Sequence, residues 1–174
     1  MAAMVVKERK ILVAVDESEE SMYALSWCLK NVVSENSKDT LVLLYAKPLR
    51  SAYTALDGTG YLFSSDIVVT MERHNNEMAD CVMAKAKKIS MISTSLSAIV
   101  GGQVAAVEMR VENGDARDVI CCVAQKLVPD VLVMGSHGYG LIRRAFLGSV
   151  SYHCAQNVKC PVLVVKRPKS SRNN

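Results

Sequence analysis

Apolar residues in this chain fall alternately into short unbroken runs and into longer stretches where they recur every three or four positions. An unbroken run suits a strand buried on both faces of a sheet, and a three-to-four spacing suits one face of a helix. KILVAVD (10–16) predicts a first strand that ends in an acidic residue. SEESMYALSWCLKNVV (18–33) predicts a helix with Met22, Leu25, Leu29 and Val32 or Val33 on its stripe, and Ser18 stands as its N-cap. TLVLLYA (40–46) predicts the second strand, closed by Pro48. Residues 49–65, with Gly58, Gly60 and several Ser and Thr, read as a loop.

From Asp66 to Ala98 the spacing predicts a long helix, with Met78, Val82, Ile89, Ile92 and Leu96 on one side and Gly101-Gly102 ending it. VAAVEMRV (104–111) predicts the third strand. The turn Asn113-Gly114 then leads to Asp115 as the N-cap of a helix whose apolar face is Val119, Ile120, Val123 and Leu127. DVLVMG (130–135) predicts the fourth strand. A glycine-rich segment and a helix to about Val158 follow, and PVLVV (161–165) predicts the last strand, with Pro161 best placed on an edge. Five strands alternating with four helices predict a single-domain α/β fold, an open and mostly parallel sheet covered by helices on both faces. Residues 1–9 read as an N-terminal tail, 10–166 as the domain and 167–174 as a basic disordered tail.

Composition fits that reading. The 174 residues are 50% hydrophobic and 22% charged, as in one ordinary globular domain. No run approaches the roughly 20 apolar residues of a membrane helix. The start, MAAMVVKERK, has no secretory pattern, so the expectation is a cytoplasmic protein, compatible with nuclear presence, that does not engage a membrane. The net charge of +4 comes from Lys166, Arg167, Lys169 and Arg172; the body before them is balanced and offers no basic face to a nucleic acid.

Six cysteines (28, 81, 121, 122, 154 and 160) mostly fall on the apolar stripes and are expected as small buried hydrophobes, with one buried and one half-exposed member in the Cys121-Cys122 pair. No CxxC pair exists, and His74, His137 and His153 lie at no metal-ligand spacing from a cysteine, so no metal site is expected. Trp27 and the methionines of the stripes are expected in the core. Glu17, Glu19 and Glu20 read as favourable charge at a helix start.

The segment that carries chemistry is GSHGYGLIRRAFLGSVS, residues 135–151. Gly135 and Gly138 directly follow a strand, where a missing Cβ lets backbone turn sharply and approach a ligand. Gly148-Ser149-Val150-Ser151 opens a helix, whose free N–H groups and dipole attract phosphate oxygens while the serine hydroxyls add donors. Arg143 and Arg144 lie between and can close on the same anion. The spacing is neither GxGxxG nor a Walker A loop, and GxSxG is absent because Ser136 directly follows Gly135. His137 has no neighbouring nucleophile pattern and reads as a ribose neighbour and not as a base.

Gly135-x-x-Gly138-x9-Gly148-Ser149 resembles the signature of the nucleotide-binding members of the universal stress protein family, and the likeness runs through VAVDES, LLYA, Gly114-Asp115 and CPVLVVK. The GYGLIRRAFLGSVS loop looks like that of a plant single-domain member. The resemblance implies a Rossmann-like sheet in the order 3-2-1-4-5, whose switch point between strands 1 and 4 binds the ligand. It also implies that Ala14, Val15 and Asp16 contact the nucleoside and that Ala46, where many relatives have valine, lines the adenine pocket. Met134, Gly135, Ser136 and His137 would then lie along the ribose and phosphates, and Gly138, Gly148, Ser149, Val150 and Ser151 would grip the phosphates with Arg143 and Arg144.

The implied ligand is ATP or AMP, with or without Mg2+, and the implied role is a nucleotide-dependent signalling or protective module in the stress response. Asp16 is the one carboxylate near the loop, so efficient turnover is not expected. Slow ATP hydrolysis, or a chaperone-like protein with a structural nucleotide, are the competing readings. Relatives pair the last strand across a two-fold axis, which implies a homodimer through Val162, Leu163, Val164 and Val165.

Overall fold

Buried strands appear where the apolar runs are continuous. β1 (Lys10–Ala14), β2 (Thr40–Lys47), β3 (Ala106–Asn113), β4 (Val131–Gly135) and β5 (Val162–Val165) form one five-stranded sheet in the order β3-β2-β1-β4-β5. Every neighbouring pair is parallel. The structure is a computed structural model that describes residues 8–33, 39–48, 65–99, 106–136 and 147–168. The expected loop before Ser65, the Gly101-Gly102 stop, and His137, Gly138, Arg143 and Arg144 lie outside the described residues.

Four helices connect the strands: α1 (Glu19–Asn31), α2 (Ser65–Ile99), α3 (Ala116–Leu127) and α4 (Ser149–Asn157). Odd positions of β1 and β2 (Ile11, Val13, Leu41, Leu43, Tyr45) pack with α1 and α2; even ones (Leu12, Val42, Leu44) pack with α3 and α4. Strands buried on both faces explain why alternation is missing from their sequences. Among the described residues no helix is long and apolar enough to cross a membrane.

The boundaries differ from the sequence reading in instructive places. β1 stops at Ala14, because Asp16 turns back to accept from the Ser18 N–H at 2.9 Å, although Val15 still donates to Leu44 O at 2.9 Å. β3 extends to Asn113, since β2 continues to Lys47 and the two end as a register pair. On α2 the buried positions are Ala79, Val82, Met83, Ala86 and Ser90, and Ile92 is exposed. Small residues let this helix lie close to α1 and the sheet, which rotates its buried face away from the larger side chain. All six cysteines are free thiols, but only Cys28 and Cys154 are buried; Cys81 and Cys122 are exposed, and Cys121 is half-buried. Trp27 is partly buried against the core; of the stripe methionines Met22 is buried and Met78 half-buried, while Met71, Met91 and Met109, outside the stripes, are exposed.

Candidate functional site

Strand order alone opens a crevice. β1 and β4 are neighbours, yet α1 after β1 covers one face and α4 after β4 covers the other, so the two connections part at the carboxyl ends of these strands. Residues 14–18, 134–136 and 147–151 lie around that point.

On the β1 side the chain makes a tight polar turn. Asp16 Oδ1 accepts from the backbone N–H and the hydroxyl of Ser18, and Ser18 Oγ in turn accepts from Ser21 N–H at 3.2 Å as the α1 N-cap. Ser21 Oγ accepts from Asp16 N–H at 3.1 Å and lies 3.0 Å from Asp16 O. One carboxylate oxygen of Asp16 therefore holds the turn, and among the described residues its Oδ2 has no bond. Ser21, which periodicity did not single out, braces Asp16; the cluster of serines in DESEES was the available signal. Burial pushes the Tyr45 phenol above its ordinary range, and Glu17 and Asp16 nearby add to that. Ala46 lies beyond Tyr45 at the end of β2, and Lys47 Nζ donates to Asn76 of α2 at 2.8 Å, tying the strand end to the helix.

On the β4 side Gly135 is where the strand meets α1. A Cβ there would sit 3.0 Å from Glu20 C and 3.1 Å from Ser21 N, so the α1 backbone would have to give by a few tenths of an ångström to admit it. Its lack of a side chain thus suits close helix–strand packing, whatever a ligand also needs. Met134 is buried among the α3 and α4 residues.

Ser136, at 3% exposure, donates its N–H to Val165 O at 3.0 Å and accepts from Gly148 N–H at 2.5 Å. Residues 136 and 148, on either side of the glycine-rich stretch, are thus joined by a backbone hydrogen bond. Ser151, buried, donates its hydroxyl to Gly148 O at 3.0 Å and approaches Ser136 O at 3.4 Å, so it secures this closure. Ser149 is exposed and half-buried Val150 packs on the α3 side of the sheet.

The helix starts differ in one respect. α1 is capped by Ser18 and α3 by Asp115, whose carboxylate accepts from Arg117 N–H at 2.9 Å. At α4 the cap is Gly148, which has no side chain to offer, and among the described residues no side-chain cap engages the first turn. The N–H groups of Ser149 to Ser151 are those an α-helix leaves without an intrahelical acceptor, and the dipole there favours an anion. Among the described residues no group of three or more His, Cys, Asp or Glu is placed to hold a metal ion.

Comparison with known proteins agrees with this fold. The sequence pattern of the Universal stress protein family matches residues 8–166. The Universal stress protein A-like protein of Arabidopsis thaliana is 28% identical over 167 residues, spanning 91% of this chain and 90% of that protein. Among solved structures, universal stress protein UspA from Lactobacillus plantarum aligns with a TM-score of 0.63 at 19% identity, over 90% of this chain and 97% of its own. A universal stress protein family protein from Arabidopsis thaliana, solved with AMP bound, aligns with a TM-score of 0.55 at 22% identity, over 95% and 96%. At these identities the structural likeness speaks for the fold.

Proposed function

The chain belongs to the universal stress protein family, and on that premise we propose that it binds an adenine nucleotide, ATP or AMP, between the ends of β1 and β4. In this reading it acts as a nucleotide-dependent signalling or protective module in the stress response. The observation that carries the proposal is the start of α4, whose N-cap is a glycine with no side chain and which is fixed beside the end of β4 through Ser136. An anion-seeking helix terminus at the switch point of an open α/β sheet suits a phosphate chain. The AMP in the Arabidopsis structure of the same fold supports an adenine nucleotide as its owner.

The proposed roles carry the sequence reading onto this site. The backbone N–H groups of Ser149, Val150 and Ser151 and the Ser149 hydroxyl take the phosphates, with Gly138, Arg143 and Arg144 closing from the loop. Gly148 lets the chain come near the phosphates, and Ser151 holds the helix start in place. Ala14, Val15 and the open oxygen of Asp16 face the nucleoside, Ala46 the adenine, and Met134, Gly135, Ser136 and His137 the ribose. Turnover has a minor place, at most slow ATP hydrolysis: Asp16 already commits one oxygen to its turn, which makes it a poor sole anchor for Mg2+. A cytoplasmic location and a homodimer through Val162–Val165 complete the proposal.

The test is to denature freshly purified protein, identify any released nucleotide, and titrate the emptied, refolded chain with ATP and AMP by calorimetry. Gly148→Val puts a branched side chain at the helix start and should weaken binding at least tenfold, about 1.4 kcal/mol. Unchanged affinity in that variant, or no adenine nucleotide binding by the unmodified chain, rejects the reading.

A further inference from the structure

The edge of the sheet farthest from β5 is its longest exposed feature. β3 runs eight residues without glycine or proline, and only Arg110 on it is even half-buried. Among the described residues its outer edge pairs with no strand. The two faces of β3 differ sharply. Val107, Met109 and Val111, in register with Leu41, Leu43 and Tyr45, continue the apolar α2 side of the sheet, yet they remain 38%, 47% and 46% exposed. Glu108, Arg110 and Glu112 occupy the opposite face, and Glu108 and Arg110 form an ion pair at 3.6 Å.

Edges are commonly blunted by charge of one sign, by proline or by bulges. Here the charges alternate in sign, which makes the strand complementary to itself when reversed. We propose that β3 is a docking edge for the β3 of a second copy of this chain, paired antiparallel about a two-fold axis that passes through Met109 perpendicular to the sheet. In that register Val107 of one copy stands opposite Val111 of the other, Met109 opposite Met109, and Glu108 opposite Arg110 on both sides of the axis. Residues directly opposite in an antiparallel pair project to the same face. Val107, Met109 and Val111 therefore meet apolar partners, Glu108 and Arg110 meet their opposites, and at the ends Ala106 faces Glu112.

Neighbouring registers lack this match. Moving the axis to Glu108 sets Glu108 against Glu108; moving it to Arg110 sets Arg110 against Arg110 and Glu108 against Glu112. Placing it on Val111 leaves Met109 facing Asn113. The apolar and charged positions together thus favour the register centred on Met109, in the way paired faces fix register within a sheet. The contact is isologous and merges two five-stranded sheets at their β3 edges. It is independent of the nucleotide reading and leaves β5 untouched.

The experiment uses two full-length variants, Glu108→Arg and Arg110→Glu. Either alone sets like charges opposite each other and should lose one concentration-dependent association step in sedimentation velocity. Mixed together they should recover it as a one-to-one heterodimer, because two arginines then face two glutamates. The double variant Glu108→Arg/Arg110→Glu keeps both kinds of ion pair and should associate like the unmodified chain; it also serves if a single variant misfolds by circular dichroism. An association unaffected by the single changes, or a mixture that stays unassociated, overturns the self-pairing. So does an unmodified chain with no such step, which would leave this edge for a strand of another protein. Pairing through β5 does not respond to these positions.

Discussion

Arg9 grips both carboxylate oxygens of Asp39, its Nε 2.9 Å from one and its Nη2 2.5 Å from the other, while Asp39 is only 1% exposed. The same guanidinium donates to Val32 O at 3.0 Å, and Arg9 O accepts from Thr40 N–H at 2.8 Å. One side chain thereby joins the entry to β1, the end of α1 and the entry to β2. A buried carboxylate that loses its cation is left charged in a poor solvent, which costs about 3–5 kcal/mol when a buried pair is broken. Arg9 is itself partly exposed, so Arg9→Met is expected at the lower end, about 3 kcal/mol, in urea unfolding. The double variant Arg9→Met/Asp39→Leu should recover part of that loss. Equal stability in the single variant would show the pair to be energetically idle.

Gly135 should prove a packing glycine. In Gly135→Ala the new methyl meets backbone of Glu20 and Ser21, so α1 must move. Overpacking of this kind costs about 1–3 kcal/mol. Because Asp16 is tied to the same helix start, nucleotide affinity should fall along with stability, whereas Gly148→Val should lower affinity with little loss of stability. Denaturation and calorimetry on both variants check this; a Gly135→Ala chain as stable as the parent contradicts the packing.

Val128 ends α3 in the left-handed region, with φ 47 and ψ 60, and is 77% exposed. A β-branched residue there is strained, and its exposed side chain gains little burial in return. Val128→Gly should stabilise the chain by about 1 kcal/mol, read as a higher urea midpoint at unchanged m-value. A lower midpoint refutes it.

Thiol chemistry should divide the cysteines by burial. Burial pushes the Cys28 thiol up to about 12, and burial with neighbouring Cys121 and Cys160 does the same for Cys154. At pH 8 a thiol-specific reagent should modify exposed Cys81 and Cys122 quickly, and Cys28 and Cys154 only as fast as the chain opens. The linkage has a definite sign. Below the unfolded value of about 9 both states hold the protons and stability does not respond. Between there and about 12 only the unfolded chain releases them, so stability falls as pH rises. Rapid native labelling at Cys28 contradicts the burial.

Slow turnover can be checked directly. Initial rates with ATP and Mg2+ should stay far below the typical enzyme value of roughly 10 per second. A rate at that level, abolished by Asp16→Ala, overturns the binding-protein reading.

Much of this protein is written locally. Unbroken apolar runs specify strands because a strand buried on both faces has no polar side to show, and Ser18 and Asp115 mark helix starts because their short oxygens reach the next N–H groups. Gly148-Ser149-Val150-Ser151 opens a helix, as its sequence predicted. Other features depend on residues distant in sequence. Arg9 and Asp39 meet across 30 positions, Gly135 is required by a helix more than a hundred residues earlier, and Ser151 turns its hydroxyl to the carbonyls that close the loop. Ala79 and not Ile92 faces the core because close helix packing rewards small side chains, which a hydrophobic periodicity undervalues. The alternating charges of β3 gain a meaning only from the sheet order, which leaves that strand at an open edge among the described residues. Periodicity reports which side of an element is apolar; only the packed sheet decides what that side meets.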